Sequence, residues 1–395
     1  MNVKFSTKFV AASAAAVMAL SLAGCSGGSM DDSSSSSAKA SGDSITIGTV
    51  TTNSGTAAAY GEAEVKGFEL AVSEINAKGG INGKKVKLES MDDKGDATEA
   101  SNAYNKLAGD NNVLAVAGPT ISATTAAVAP LAAPAKLVTI APAATSDSIE
   151  TGNYLFRTCF KDSYQGEVAA RFAAENLKVK KVAVLYGTGD PYSSGVGEAF
   201  AKAAEKLGLE VVDKESSSSA DDTEYSAQLQ KIQASGAELL YAPYYYSVAG
   251  PYIIPQARSV GFEGYVMGPD GYDGLKLTGD KSQYNKTYYT THYSADDNTN
   301  TKVQDFIKSY KSKNNAEPNT FAALGYDTIY MIKQAIEKAG ENATREDVRN
   351  AVAGMTFDGV TGKFTMDKSG SPTKSVTVLE MKDGKPVYNT TVQPK

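Results

Sequence analysis

From Ser44 onward, short runs rich in Val, Ile and aromatic residues alternate with longer stretches that carry apolar residues at helical spacing. That rhythm belongs to parallel α/β sheets, in which each strand is followed by a helix that crosses back over the sheet. SITIGTV (44–50) is the first strand. A helix over 60–77 follows it, with Val65, Phe68, Val72 and Ile75 on one face and Gly79-Gly80 just beyond its end. KKVKLESMD (84–92), VLAVAGP (113–119) and KLVTIAP (136–142) continue the series, with helices at 98–108 and 122–133. A second series begins with helices at 164–177 and 191–207 around the strand KKVAVLYG (180–187). LEVVDKE (209–215), AELLYAPYY (237–245) and GYVMGPD (264–270) extend it, with helices at 225–234 and at 248–260, the latter broken by Pro251 and Pro255. The rhythm then changes. TYYTTHYS (287–294) is a strand, three helices occupy about 301–313, 320–339 and 344–354, and GKFTMD (362–367) precedes a hairpin that turns at Asp383-Gly384.

The expected fold class is therefore α/β, with two doubly wound parallel-sheet lobes joined by a hinge of several crossings. Lobe 1 is expected over 44–158 plus 288–356, and lobe 2 over 159–287 plus 357–395.

The chain ahead of Ser44 points to a location. Lys4 and Lys8 precede a 14-residue apolar run (9–22), which ends in Leu22-Ala23-Gly24-Cys25. A charged start, a short apolar core and small residues describe a secretory signal over 1–24, too short to span a bilayer. The letters LAGC resemble the bacterial lipobox, which implies cleavage before Cys25 and a lipid on it. Residues 25–43 are too polar and too rich in Ser and Gly to bury a core, and read as a loose tether spanning about 20–25 Å. The expected location is the extracytoplasmic face of a cell membrane, lipid-anchored.

Removing Lys4 and Lys8 with the leader takes the net charge from −6 to −8. A mildly acidic body argues against nucleic acid as a partner. With Cys25 lipidated, Cys159 has no partner for an intrachain disulfide. The single histidine, His292, argues against His-based metal sites, and any Ser-His-Asp triad would need that one residue. The acidic run from Asp92 to Asp96 lacks the spacing and closing Glu of a calcium loop and reads as a turn. No catalytic residue, metal or cofactor is expected.

In open α/β sheets, ligands bind beyond the carboxyl ends of the strands. There the sequence places Tyr60 after the first strand, Ser122 at a helix start after the third, and Ala143-Ala144-Thr145 after the fourth. The second series offers Tyr192, the run Tyr244-Tyr245-Tyr246, and Asp270 with Tyr272. Hydroxyls and helix-start N–H groups suit a carboxylate, an Asp suits an ammonium group, and tyrosines make apolar walls with polar tips. The set matches a free amino acid and contains no nucleophile beside a base. Each residue also has an ordinary reading: Ser122 as a helix cap, Thr145, Asp147 and Asp270 as turn residues, the tyrosines as packing. What favours binding is that all follow strands in two sheets able to face each other.

At these residues the chain resembles the type I periplasmic binding proteins, in particular the leucine/isoleucine/valine-binding proteins of ABC importers. The resemblance runs from about Ile45 to Val392. It is carried by SGTAAAYGEAEVKGFELAVSEINAKGGINGKKVKL, DDKGDATEASNAYNKL, VAGPTISATT, TIAPAATSD, FRTCFKDSYQG, DDTEYSAQLQKI, MGPDGYDG, FAALGYD and FDGVTGKFTMD, in this order. It implies that Ser122 and Thr145, with the backbone of Ala143, hold a ligand carboxylate. Asp270 and the Tyr192 region would take the ammonium, Tyr60 would wall the side-chain pocket, and Tyr244 would contact the ligand from lobe 2. The register within APYYYS leaves Tyr245 as the alternative. Asp270 stands where some members have Glu, and this chain lacks the disulfide of some members.

The implied function is capture of branched-chain amino acids between closing lobes and delivery to an ABC permease in the membrane, by a monomer. Aromatic or other small amino acids, aromatic acids, amides, or presentation of ligand to a signalling receptor are the alternatives.

Overall fold

The computed structural model describes residues 43–149, 151–296 and 300–394. The leader, Cys25 and the tether up to Gly42 lie outside the described residues. The first sheet holds β1 (Ser44–Thr51), β2 (Lys85–Asp92), β3 (Val113–Ala117), β4 (Val138–Ala141) and β5 (Leu155–Arg157), all parallel, in the order β2-β1-β3-β4-β5. Helices α1 (Ala58–Ala77), α2 (Ala97–Gly109) and α3 (Ser122–Ala132) connect them. β5 is three residues long, which leaves it without a periodic signature in the sequence.

The chain then passes to the second sheet through α4 (Asp162–Glu175). There β6 (Lys181–Gly187), α5 (Pro191–Lys206), β7 (Glu210–Ser217), α6 (Ser226–Ala234) and β8 (Leu239–Tyr241) follow in order. Next come α7 (Tyr246–Val248), a π turn over Ala249–Ile253, α8 (Ile254–Ser259), β9 (Tyr265–Gly268) and β10 (Thr287–Thr291). The π turn contains Pro251, which has no N–H for the α ladder, and so the helix widens there rather than ending.

After β10 the chain returns to the first sheet as α9 (Thr301–Asn314), α10 (Thr320–Ala339), α11 (Arg345–Val352) and the small ladder β11 (Thr356–Gly359) and β12 (Gly362–Thr365). It crosses a third time to β13 (Val376–Lys382) and β14 (Lys385–Val392), which complete the order β14-β13-β10-β9-β8-β6-β7. The β13–β14 hairpin turns at Asp383 and Gly384, both at positive φ (49° and 74°), as a two-residue hairpin loop demands.

Adjacent residues on one strand feed different cores. Val182 and Val184 pack with Phe172, Val196 and Phe200 of α4 and α5, whereas Ala183 and Leu185 pack with Leu229 and Ile254 of α6 and α8. Strands covered on both faces read as continuous apolar runs. The first sheet is sandwiched in the same way, with Phe68 and Ile332 on one face and Tyr104 and Val128 on the other.

Two of the expected lobe boundaries need correction. β10 pairs with β9 and β13, so residues 288–291 belong to the second sheet. Phe357, Phe364 and Met366 pack with Ile329 and Ile332 in the first core, so the final return to the second sheet comes at β13 and not at 357. Short strands beside a hinge carry too little pattern to show which core they serve. Among the described residues, no helix is long and apolar enough to cross a membrane.

Candidate functional site

The two sheets present the carboxyl ends of their strands to a shared cleft lined by Tyr60, Ile121, Ser122, Ala143, Tyr192, Tyr245, Asp270 and Phe321, together with Thr120 and Gly271. On the first side, α3 begins at Ser122 with no side chain capping it, so its first-turn N–H groups lack an intrahelical acceptor. The Ser122 hydroxyl accepts the Ser146 N–H at 3.2 Å, which ties the helix start to the loop after β4. The buried Arg157 guanidinium holds that loop from behind, donating to the carbonyls of Ala144 (3.0 Å) and Ser146 (3.1 Å). Thr120 accepts from the Thr52 N–H (3.2 Å) and bonds Glu64 (2.6 Å), so its methyl group is what remains for the cleft. Burial pushes the Glu64 carboxyl well above the usual range, which favours an uncharged wall.

The second side is a side-chain network around Asp270, which opens a 3-10 turn after β9 and is 2% exposed. Its Oδ1 accepts the Tyr192 hydroxyl (2.9 Å) and the Gln165 amide (3.2 Å), and its Oδ2 lies 3.2 Å from His292 Nε2. Gln165 also accepts the Asp270 N–H (3.3 Å) and the Thr290 hydroxyl (3.1 Å). Tyr192 in turn accepts the Gly271 N–H at 2.8 Å. A Cβ on Gly271 would stand 2.7 Å from that hydroxyl, so only glycine allows the approach.

Burial, and next the Asp270 charge, hold the Tyr192 phenol well above its ordinary value and keep it a donor. A carboxylate offers about four acceptor positions. With Tyr192, Gln165 and His292 in place, Oδ2 keeps room for one more donor. Asp162 lies alongside, bonded by Gln165 at 2.7 Å; burial first and the Asp270 charge second raise its carboxyl well above the usual range.

Aromatic rings close the remaining walls. Tyr60 stacks on Phe321 (centroids 3.9 Å apart, 19° between planes) and meets Tyr245 edge-on at 5.7 Å. Tyr245 lies parallel to Tyr192 at 5.3 Å. The Tyr60 hydroxyl donates to the Gly271 carbonyl and accepts the Tyr246 N–H (3.0 Å), while Ser247 donates to the Thr56 carbonyl (2.7 Å). These bonds span the cleft and leave a space of about 20 Å³. That is room for about one water, so the sheets must part to admit an amino acid.

Of the residues expected to bind ligand, Tyr60, Ser122, Ala143, Tyr192 and Asp270 share this cleft. Thr145 is fully buried behind the wall, its hydroxyl beside the Asp162 carboxyl without a well-formed hydrogen bond. Tyr244 is a correction. It points into the core under α6, with its hydroxyl 2.9 Å from Ser217 Oγ and its ring against Tyr225, and Tyr245 takes the cleft position. Successive side chains of an extended segment point to opposite sides, so a one-residue slip exchanges wall for core. Asp147 accepts from the N–H and hydroxyl of Ser163 at the start of α4, which is a structural use.

The sequence assigns no ligand role to Thr120, Ile121, Gly271, Phe321, Gln165 or His292. Phe321 sits in the first turn of α10, the second helix after the chain returns to the first sheet, and no local pattern ties that position to the cleft. A larger groove of about 720 Å³ lies between α1, α9 and α10, away from the strand ends.

Comparison with known proteins agrees with this architecture. A family model described as periplasmic binding protein matches residues 44–386. A protein of Brucella melitensis named Leu/Ile/Val-binding protein homolog 3 is 30% identical over 348 residues, covering 86% of this chain and 92% of its own. The substrate-binding protein LivJ of a branched-chain amino acid transporter from Streptococcus pneumoniae, solved with isoleucine, is 33% identical, with a TM-score of 0.82 over 89% of this chain and all of its own. The leucine-binding protein LivK of Thermotoga maritima gives 30% identity and the same TM-score over 89% of this chain and 99% of its own. With two doubly wound sheets, three crossings and a cleft at the strand ends, the chain belongs to the periplasmic binding protein family of solute-binding proteins, which are not enzymes.

Proposed function

We propose that this protein captures leucine, isoleucine or valine between its two lobes and hands it to an ABC permease. The observation that carries the reading is the polarity of the cleft. One end has an uncapped helix start with the Ser122 hydroxyl beside it, and the other has Asp270 with one acceptor position left. The α-carboxylate lies at the first end and the ammonium at the second. The branched side chain lies between Tyr60, Ile121, the Thr120 methyl, Tyr245 and Phe321, which offer it no free charge. Closure adds Asp270 and Tyr245 to contacts begun on the first side, so ligand shifts the open–closed balance by its better contacts in the closed form. The names of the relatives support the same ligand class. We further read the protein as a monomer held at the outer membrane face by a lipid on Cys25.

The test uses protein whose Cys25 peptide has been weighed for added lipid and which has been unfolded and refolded to shed bound ligand. Thermal stability is then measured against the twenty amino acids, benzoate and short amides. At about 100 times its dissociation constant a ligand stabilises by about 2.7 kcal/mol. Shifts confined to Leu, Ile and Val are expected. A shift with phenylalanine or benzoate alone would move the ligand class to aromatics.

A further inference from the structure

We infer that His292, the only histidine of the chain, is a positioning residue: as a neutral ring donating its Nε2–H to Asp270 Oδ2, it holds the carboxylate toward the ligand ammonium and ties that contact to the hinge. The inference rests on the reading of Asp270 as the ammonium partner. His292 directly follows β10, on the segment that carries the chain back to the first sheet. Its side chain is fully buried, and its ring stacks on Phe160 of the first crossing, with centroids 3.5 Å apart and 22° between planes. Two of the three crossings therefore meet at the ring that touches Asp270.

The tautomer follows from the partners. An ionised carboxylate only accepts, so Nε2 must carry the hydrogen, and Nδ1 has no partner among the described residues. Burial lowers the His292 pKa to about 4 and outweighs the hydrogen bond to Asp270, which raises it, while the nearby Lys374 charge adds to the lowering, so the ring is neutral at ordinary pH. A neutral donor suits the role. An imidazolium would compete with the ligand ammonium for the same carboxylate, whereas a neutral N–H fixes its orientation and leaves its charge to the ligand.

The single histidine makes the test direct. In protein carrying nitrogen-15 histidine, the imidazole signals come from one residue. A neutral ring protonated at Nε2 is expected, with a Nε2 signal that moves in Asp270→Asn and on adding leucine. The Nδ1–H tautomer, or a signal blind to Asp270→Asn, would overturn the inference. Binding supplies the second arm, with leucine and 4-methylpentanoate, which is leucine without its ammonium group. His292→Phe keeps the stack and removes the donor, and is expected to weaken leucine roughly tenfold or more while leaving 4-methylpentanoate unchanged. His292→Gln, which carries an N–H near the Nε2 position, should recover most of the loss. Equal loss for both ligands, or no recovery with Gln, would mean a packing role only. If Asp270→Asn itself binds leucine like the wild type, the reading of Asp270 fails instead, independently of the tautomer.

Discussion

The two sides of the cleft are built by different means. The first side relies on backbone: a helix start, a loop pinned by carbonyl bonds from Arg157, and one hydroxyl bridging them. The second relies on side chains, with Gln165, Tyr192 and His292, from three separate segments, converging on one carboxylate. Backbone donors survive most substitutions because every residue except proline carries an N–H. A side-chain network has no such redundancy, and removing its central charge leaves several buried donors without an acceptor. The ammonium end should therefore be the fragile end.

The harshest test of that difference is Asp270→Asn. Truncating one partner of a buried charge pair typically costs about 2–5 kcal/mol, or roughly 30-fold to several thousand-fold in affinity. Leucine should lose affinity by this amount in a calorimetric titration, while 4-methylpentanoate, which brings no ammonium, should bind the variant at least as well as the wild type. Equal weakening of both ligands would mean that Asp270 shapes the cleft rather than recognising charge.

The first side should respond mildly. Ser122→Ala removes one hydroxyl but leaves the helix start and the Arg157-held loop in place. Loss of a hydrogen bond to a charged group costs about 1.5–3 kcal/mol at most, and the neighbouring N–H groups soften it toward the lower end. About tenfold weaker leucine binding is expected by titration, well short of Asp270→Asn. If Ser122→Ala proves the more damaging change, the contrast between the two sides is wrong.

The sequence made the fold legible because parallel strands covered on both faces are long apolar runs, as at Val182–Leu185, and because helices such as α10 carry a full apolar stripe. It concealed β5 and β11, which have three and four residues, and so misplaced where the chain re-enters each sheet. Much of the candidate site was visible because the cleft lies at the strand ends, where the loops that carry Tyr60, Ser122, Ala143 and Asp270 follow strands. Asp270 and Ser122 could be found by position alone. The supporting residues could not, because Gln165 and His292 reach Asp270 from 105 and 22 residues away, and nothing local marks such a contact. Tyr244 shows a third limit. Three consecutive tyrosines have the same local chemistry, and only the exit angle of the segment after β8 decides which faces the cleft.

That last point predicts the smallest effect. Tyr244 and Tyr245 are neighbours, yet one bonds Ser217 inside the second core and the other lines the cleft. Tyr244→Phe keeps the ring against Tyr225 and removes only the hydroxyl, whose net contribution is about 1 kcal/mol. Chemical denaturation should show a stability loss of that order, and leucine affinity should stay within about twofold. Tyr245→Ala should do the reverse, weakening leucine severalfold by removing a wall that packs on both Tyr60 and Tyr192. Were Tyr244→Phe to weaken leucine while Tyr245→Ala did not, the segment would be slipped by one residue, and the second side of the cleft would have to be redrawn with Tyr244 in its wall.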